Sequence, residues 1–234
     1  MKKKYALVTG GTKGIGRSLV ELFAKHKYNI ITCARDQKAL QKLNQDLETT
    51  YGIEVLISTA DLSQKKDCKT FISLIRDTVP HINVLINCAG VFIPQPMLEE
   101  EDSVFEDTFH ANVFAPYYIT KELFDLVEKA NGHIFNIGSV ASKKPFHNCA
   151  SYVASKFALH GLTLSLREIS KDKNVKVTSV LPGATFTASW AGTNVDPERI
   201  MNPDSVAEAI FTCVQIKGNA VVEELVIRPQ LGDL

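Results

Sequence analysis

Short apolar runs alternate along the chain with longer segments in which apolar residues recur every three or four positions. The runs are rich in residues that favour buried strands. We predict seven strands, at 5–9, 30–34, 55–60, 84–87, 133–138, 175–181 and 221–227. Because strands and helical segments alternate, the pattern predicts an α/β fold in which a doubly wound parallel sheet carries helices on both faces.

The segments between the runs carry helical stripes of apolar residues. Four stripes predict helices: Ile15, Leu19, Leu22 and Phe23; Leu40, Leu43 and Leu47; Phe71, Leu74 and Ile75; Ile119, Leu123 and Val127. Two long helices are expected over 112–129 and 152–170, and Pro203 is expected to begin another. No internal repeat, low-complexity linker or shift in composition divides the sequence, so we predict a single domain over 1–234.

The composition excludes several classes of protein. The 234 residues include 26 Lys and Arg and 26 Asp and Glu, whereas nucleic acids and anionic membranes are bound mainly by clustered basic residues. The apolar run at 5–8 is shorter than the roughly 7–15 apolar residues of a secretion signal. The uncharged stretch at 78–98 contains three prolines, which argue against a lipid-exposed helix. We therefore expect neither a nucleic-acid nor a membrane partner.

The positions of cysteine and histidine bear on metal and redox sites. Five cysteines are scattered without a C-x-x-C pair, so neither a disulfide framework nor a zinc site is indicated. The six histidines lack metal-ligand spacing, and we expect no metal. Free thiols in a reducing cytoplasm are the expected state and location.

Residues 9–16, with the sequence Thr-Gly-Gly-Thr-Lys-Gly-Ile-Gly, follow the first strand at the sheet edge where ligands bind. Glycines let the backbone approach a pyrophosphate, and the following helix offers free N–H groups and the positive end of its dipole. The spacing is neither the common G-x-G-x-x-G nor the phosphate loop of kinases. We predict a Rossmann-type dinucleotide site, with a ligand-free tight turn as the alternative. Contacts are expected from Gly10, Thr12, Lys13, Gly14, Ile15 and Gly16.

The end of the second strand indicates which dinucleotide is bound. An acidic residue roughly 20 positions past the glycines selects NAD through a ribose hydroxyl, but this sequence has Ala34 there. Arg35 follows, and together with Lys13 it is suited to a 2′-phosphate. We therefore predict NADP(H). The alternative takes Asp36 as the ribose acid, although an Asp before a helical stripe is also typical of a helix N-cap.

Three polar residues near the end of the fifth strand are candidates for catalysis. Tyr152 and Lys156 are four apart on a predicted helix and therefore share one face. Lowering the pKa of a phenol from about 10 to ~7 takes roughly 4 kcal/mol, part of which a nearby ammonium supplies. Ser139 follows its strand, where its hydroxyl can hold a carbonyl oxygen beside the tyrosine. Taken singly, these residues are also typical of a surface pair and a turn.

Taken together with further motifs before and after them, these residues form an ordered set along the chain. The positions are 9–16 with T-G-x-x-x-G-x-G, Asp61 and Leu62, 87–90 with Asn-Cys-Ala-Gly, Asn112, Ser139, Tyr152 and Lys156, and Pro182 and Gly183 followed by Thr187. In this order they resemble the short-chain dehydrogenase/reductase family of the classical type, over essentially the whole chain. One departure is Cys88, where the family pattern has asparagine.

The resemblance implies further contacts to the cofactor. Asp61 is expected to hydrogen-bond the adenine amino group, while Leu62 supplies a backbone contact. Asn87, Ala89 and Gly90 are expected to support the adenine ribose and the central strand. Contacts to the carboxamide side of the nicotinamide are expected from Pro182, Gly183, Thr185 and Thr187.

The resemblance also implies a mechanism of hydride transfer between the nicotinamide and a carbonyl carbon. Tyr152 is expected to donate the proton in the reductive direction, and Ser139 to orient the substrate oxygen. Lys156 is expected to hold the nicotinamide ribose and to lower the tyrosine pKa. Asn112 is expected to keep a water that links Lys156 to bulk solvent.

The substrate pocket is expected to form from segments 92–97, 143–148 and 184–202. Phe186 and Trp190 are interpreted as an apolar wall or lid, with Gly192 as its hinge and ordinary packing as the alternative. His147 borders this region and is a candidate substrate contact. The loop at 184–202 is short, so the sequence does not identify the substrate.

Two classes of function stay open. The first is an NADP(H)-dependent oxidoreductase of a small carbonyl or secondary alcohol, with a general carbonyl reductase preferred over enzymes similar to 3-oxoacyl-carrier-protein reductase or sepiapterin reductase. The second is a non-catalytic NADPH sensor, which would need the glycine loop but no proton relay. A homodimer or homotetramer is expected by resemblance alone.

Overall fold

The sheet predicted from the apolar runs is present in the computed structural model, which describes residues 3–187, 190 and 194–233. Within these residues seven parallel strands pair in the order β3-β2-β1-β4-β5-β6-β7. Their bounds are β1 Lys4–Thr9, β2 Tyr28–Ala34, β3 Val55–Thr59, β4 Val84–Asn87, β5 His133–Ile137, β6 Lys176–Pro182 and β7 Glu224–Ile227. The predicted α/β fold is confirmed, and the strand ends lie close to the predicted ones.

Helices cover both faces of the sheet. Their bounds are α1 Gly14–Lys25, α2 Gln37–Tyr51, α3 Lys65–Thr78, α4 Asp102–Phe109, α5 Ala115–Glu128, α6 Ala150–Ser170 and α7 Pro203–Gln215. The four predicted stripes all lie on helices, and α4 is the helix that the pattern did not indicate. It is only eight residues long and buries only Thr108, so it offers a shorter pattern than the other helices. No helix in the described part of the chain is long and apolar enough to cross a membrane.

The alternation of side chains along β1 divides the core into two layers. Ala6 and Val8 pack on one face of the sheet with α1 and α7, whereas Leu7 packs on the opposite face with α3 and α5. All three side chains are fully buried, because a central parallel strand is covered on both sides. The continuous apolar run that identified β1 in the sequence follows from this burial.

The strand order reverses between β1 and β4, and this reversal places the site. The chain runs outward from β1 to β3 and then returns to lay β4 along the other side of β1. Such a switch point opens a crevice at the carboxyl ends of the two strands. The hydroxyl of Thr9 bridges it by accepting the N–H groups of Cys88 and Ala89, each at 2.9 Å.

A π-helical turn, His110–Phe114, joins α4 to α5. Here the N–H of Ala115 donates to the carbonyl of His110, five residues earlier. The helix predicted over 112–129 is therefore wrong at its start, because its first residues lie in this wider turn. The turn contains Asn112, a candidate site residue, and π-helical turns are common at functional sites.

Candidate active site

The glycine loop after β1 has a backbone that other residues cannot adopt. Gly10 and Gly14 have positive φ angles of 76° and 53°. A Cβ atom on Gly16 would lie 2.2 Å from the carbonyl oxygen of Gly10. The N-cap residue of α1, Lys13, forms no capping hydrogen bond through its side chain, and the first N–H groups of a helix favour an anion. The loop therefore fits a dinucleotide pyrophosphate.

We expect Gly16→Ala to lower the free energy of unfolding by about 1–3 kcal/mol, since the added methyl group meets backbone that cannot rotate away. It should also weaken NADPH binding by distorting the loop. Urea unfolding and NADPH titration measure the two effects. Gly161→Ala is the matched control, because a Cβ there meets no atom within 4 Å and alanine favours the helix by roughly 0.5–1 kcal/mol. Equal stability of both variants would contradict this account of the loop.

Two exposed cations flank the glycine loop and the end of β2. Lys13 lies at the N-cap of α1, and Arg35 follows the last residue of β2. Next to them, Asp36 caps α2 by accepting the Ala39 N–H at 3.0 Å. Asp36 therefore has the structural role that competed with its assignment as a ribose acid.

The predicted adenine contacts lie directly after β3. One carboxylate oxygen of Asp61 accepts the backbone N–H and the hydroxyl of Ser63, at 3.0 and 2.9 Å. The Asp61 N–H donates to Asp67 at 3.0 Å. The side chain of Leu62 is buried in the core. Asp61 thus holds the turn that opens towards α3, whatever else it contacts.

Polar side chains are buried together beneath the end of β4. The amide of Asn87 donates to Thr120 at 3.0 Å and to Asn136 at 2.7 Å, and it joins β4 to α5 and β5. Beyond it, a Cβ atom on Gly90 would lie 2.9 Å from Asn112 Oδ1 and 3.7 Å from Lys156 Nζ. The segment 87–90 therefore connects the central sheet to two candidate catalytic residues.

Cys88, the departure from the family pattern, lies beside Lys156. Burial raises the pKa of its thiol to about 12, and the charge of Lys156 opposes this rise. The thiol is therefore protonated at neutral pH and is a poor nucleophile.

The π-helical turn directs the side chain of Asn112 towards the segment after β4. Its carbonyl oxygen accepts the Val91 N–H at 2.8 Å, and its amide donates to the Val91 carbonyl and the Ser155 hydroxyl, each at 3.0 Å. Ser155 in turn donates to the Tyr152 carbonyl at 2.7 Å. Asn112 is therefore fixed between the loop after β4 and the helix that carries Tyr152.

Ser139 and Tyr152 are brought together as the sequence predicted. The Ser139 hydroxyl lies beside the Tyr152 phenol, where it opposes the rise of the phenol pKa, and it accepts the Ala141 N–H at 3.1 Å. Ser142 accepts the Ser139 N–H at 3.3 Å, which fixes the turn after β5. The Phe92 ring meets the Tyr152 ring edge to face, with centroids 4.8 Å apart. The phenol thus lies between a hydroxyl and an apolar wall.

Lys156 is buried and lies close to Tyr152. Its Nζ donates to the Ile137 carbonyl at 2.9 Å and lies 5.5 Å from the centre of the Tyr152 ring. Burial lowers the pKa of Lys156 from 10.5 to about 8. Each of these contacts arises because α6 packs its first two turns against the end of β5.

The predicted lowering of the Tyr152 pKa is wrong for this structure. Burial of the phenol raises its pKa above 10, and the hydrogen bond from Ser139 opposes only part of that rise. The Lys156 ammonium faces the tyrosine ring and the Ile137 carbonyl, so it does not offset the loss of hydration around the phenol oxygen. Tyr152 is therefore a protonated acid at neutral pH.

The segment after β6 returns to the glycine loop. Thr185 donates to the Gly183 carbonyl at 3.0 Å, and its backbone forms a bridge with Met201. A Cβ atom on Gly14 would lie 3.0 Å from Thr187 Cγ2, so the two loops touch. The half-exposed Phe186 belongs to the same segment. Gly192, the predicted hinge, lies outside the described residues.

Some residues that shape the site were not identified in the sequence. Thr32 accepts the Gly11 N–H at 3.1 Å and donates to the Val8 carbonyl at 2.7 Å, and it thereby holds the glycine loop from β2. Phe92 was assigned only to the substrate pocket, although it contacts Tyr152 directly. A polar residue inside an apolar run was the available signal for Thr32, whereas contacts between distant loops leave no local signal.

Comparisons with known proteins agree with this geometry. A model of the short chain dehydrogenase family matches residues 4–198. Sepiapterin reductase from Chlorobaculum tepidum is 33% identical, over 99% of this chain and 98% of that protein. Acetoacetyl-CoA reductase from Allochromatium vinosum is 29% identical, over 88% of this chain and 89% of that protein.

Solved structures agree as well. A metagenomic short-chain oxidoreductase in complex with NADP is 27% identical, with a TM-score of 0.84 over 97% of each chain. An alcohol dehydrogenase from the archaeon Thermococcus sibiricus, complexed with 5-hydroxy-NADP, has a TM-score of 0.89 over 98% of this chain and 97% of that one. It is 22% identical, and at that level the likeness concerns the fold.

Proposed function

The chain belongs to the short-chain dehydrogenase/reductase family, and on that premise we propose that it interconverts a carbonyl and a secondary alcohol by hydride transfer with NADP(H). The observation that carries the proposal is the placement of Ser139 and Tyr152 next to each other and to the buried Lys156, at the sheet edge that holds the glycine loop. A single domain over 1–234 would both bind the dinucleotide and carry out catalysis, with 184–202 as the substrate loop.

The proposed chemistry needs an acid and an oriented carbonyl. The bound cofactor supplies the hydride that the carbonyl carbon accepts. Ser139 donates a hydrogen bond to the carbonyl oxygen, and Tyr152 donates its proton to that oxygen as negative charge develops there. The raised phenol pKa suits this role, because Tyr152 is fully protonated before the reaction.

The tyrosine proton must then be replaced. Lys156 Nζ lies 5.5 Å from the centre of the Tyr152 ring, and its ammonium is the next proton donor in line. Asn112 is assigned to hold a water between Lys156 and solvent, from its position between Val91 and Ser155. Lys156 is also assigned to the nicotinamide ribose.

We expect kcat/KM for reduction to fall as the pH rises through about 8. Lys156 is a charged ammonium below that value and a neutral amine above it, so the proton that it would pass on to Tyr152 is lost on the alkaline side. Burial raises the pKa of Tyr152, which moves its own ionisation further towards the alkaline side. Initial rates between pH 6 and pH 10 at saturating NADPH measure the profile. A profile that stays flat up to pH 10 would contradict the role of Lys156.

The preference for NADP(H) rests on the two cations and on the missing acid. Lys13 and Arg35 are exposed at the edge where the adenosine ribose is expected, and Ala34 provides no carboxylate to bind ribose hydroxyls. The 27% identical oxidoreductase solved with NADP supports the same preference. The other expected contacts to the cofactor are the glycine loop, Asp61, Leu62, segment 87–90 and segment 182–187.

Two relatives suggest where the search for a substrate should begin. The likeness to a sepiapterin reductase favours pterin side-chain carbonyls, and the likeness to an acetoacetyl-CoA reductase favours 3-oxoacyl thioesters. A general carbonyl reductase remains our first proposal. NADPH oxidation against pterins, acyl thioesters, diketones and aldehydes distinguishes the three. Tight NADPH binding with no turnover across the panel would favour a sensor.

We also propose a cytoplasmic homodimer or homotetramer. Phe114, Tyr117 and Phe157 are exposed on neighbouring helices, where they could form an apolar face for a second copy. Light scattering of the purified protein measures the assembly, and a monomer would refute this proposal.

A further inference from the structure

The loop that follows β4, residues 91–101, contacts the start of α6 at three places. The Phe92 ring meets the Tyr152 ring, and the Gln95 backbone forms a parallel bridge with Cys149. At the far end of the loop, the Glu100 carboxylate accepts a hydrogen bond from the Ser151 hydroxyl. The loop thus contacts the start of α6, which carries Tyr152, near its beginning, in its middle and near its end.

The start of α6 lacks a cap of its own. Its N-cap residue is Cys149, whose side chain forms no capping hydrogen bond, and its first turn contains no acidic residue. The first N–H groups of a helix and the positive end of its dipole favour a negative charge. The Glu100 carboxylate, which lies outside the helix, places a negative charge near this end. It does so by accepting a hydrogen bond from Ser151, the second residue of α6.

The contact between Glu100 and Ser151 is sheltered from solvent. Ser151 is 2% exposed, and the second carboxylate oxygen of Glu100 is buried and accepts no hydrogen bond from the described residues. Sheltered hydrogen bonds to a charged group are stronger than neutral ones at the surface, because water competes less for either partner. The neighbouring Glu99 is exposed and its side chain has no contact among those described.

We propose that Glu100 is a positioning residue that acts through Ser151 to hold the first turn of α6, and with it the Tyr152 phenol, in place beside Ser139 and Phe92. Its effect would be exerted through Ser151 and not by contact with the reacting groups. The kinetic part of this proposal rests on the proposed reductase function, whereas the positioning itself does not.

Kinetics separate positioning from a purely structural contribution. We expect Glu100→Ala to lower kcat about tenfold with the NADPH Kd unchanged, since roughly 1.4 kcal/mol of a charged hydrogen bond corresponds to that factor. Glu100→Gln keeps an oxygen that can accept from Ser151, so it should retain most of the activity. Glu99→Ala is the matched control and should behave as wild type. Equal kcat in wild type and Glu100→Ala, with only the Tm lowered, would overturn the proposal.

A double-mutant cycle tests the route through Ser151. Ser151→Ala should lower kcat as much as Glu100→Ala, and the double variant should lose no more than either one. Additive losses would overturn the action through Ser151. Should Glu100→Ala fail to fold, Ser151→Ala still tests the proposal, because it removes the same hydrogen bond and should lower kcat about tenfold with the NADPH Kd unchanged.

Hydrogen exchange tests the positioning without any substrate. Amides in 150–156 and 91–101 should exchange faster in Glu100→Ala than in wild type or Glu99→Ala, while those in β1 should not change. Unchanged exchange at 150–156 would overturn the proposal even in an active enzyme. Faster exchange there would support the positioning, and a wild type without turnover would then refute only the proposed function.

Discussion

Replacing Tyr152 with phenylalanine is expected to lower reductive turnover by about 10²–10⁴-fold, the usual loss when a general acid is removed. The ring that packs against Phe92 is preserved, so the pocket wall stays in place. Ser139 loses one partner but keeps its hydrogen bond with the Ala141 N–H. The free energy of unfolding and the NADPH affinity should therefore change little. Steady-state NADPH oxidation measures the turnover, and fluorescence titration measures the NADPH affinity.

Tyr51→Phe is the matched control for that variant. Tyr51 is the last residue of α2 and lies against the core, away from the candidate site, so loss of its hydroxyl should leave turnover unchanged. Near-normal turnover in Tyr152→Phe would remove Tyr152 from the mechanism. A large loss in NADPH affinity would instead show that the phenol holds the cofactor.

Replacing Arg35 with serine is expected to weaken NADPH binding by about 10–100-fold, with NADH binding nearly unchanged. A hydrogen-bonded charge pair contributes roughly 1.5–3 kcal/mol, and only NADPH carries the 2′-phosphate that Arg35 is assigned to meet. The guanidinium is exposed at the end of β2, so its loss should not disturb the core. Titration of the wild type and of Arg35→Ser with NADPH and with NADH measures the ratio of the two dissociation constants.

Two further variants at the start of α2 make the Arg35 experiment specific. Lys38→Ser removes an exposed cation from the same region and should leave the ratio of the two affinities unchanged. Asp36→Ser keeps a residue that can cap α2 and should also leave NADH binding unchanged. If Asp36→Ser weakened NADH selectively, Asp36 would be the ribose acid. If Arg35→Ser weakened both cofactors equally, the assignment to the 2′-phosphate would be wrong.

The fold was readable from the sequence because burial determines the pattern. The run Ala6, Leu7 and Val8 is apolar without interruption, since both faces of a central parallel strand are covered. The helix α4 was missed for the complementary reason. It is only eight residues long, and it exposes Phe105 while it buries Thr108, so the polarity of its residues does not follow their burial.

The candidate site was readable in part. Spacing alone put Tyr152 and Lys156 on one helical face, and the structure brings Ser139 to the same phenol. The direction in which the Tyr152 pKa shifts could not be predicted from the sequence, because it depends on how far burial removes water from the phenol and from the Lys156 ammonium. The contacts of Asn112 with Val91 and of Glu100 with Ser151 join segments distant in the chain, and no local pattern records them.

The π-helical turn at His110–Phe114 has a genetic consequence. A π turn contains one residue more than an α turn, so α4 and α5 correspond to one regular helix with a single inserted codon. Deleting one residue there would narrow the turn to α-helical width, except that Pro116 has no N–H to donate. It would also rotate everything on one side of the deletion by roughly 100° relative to the other, because a helix turns once every 3.6 residues. The contact between Asn112 and Val91 would then be lost, so an in-frame deletion that regularises this helix would separate the helix from the site it serves.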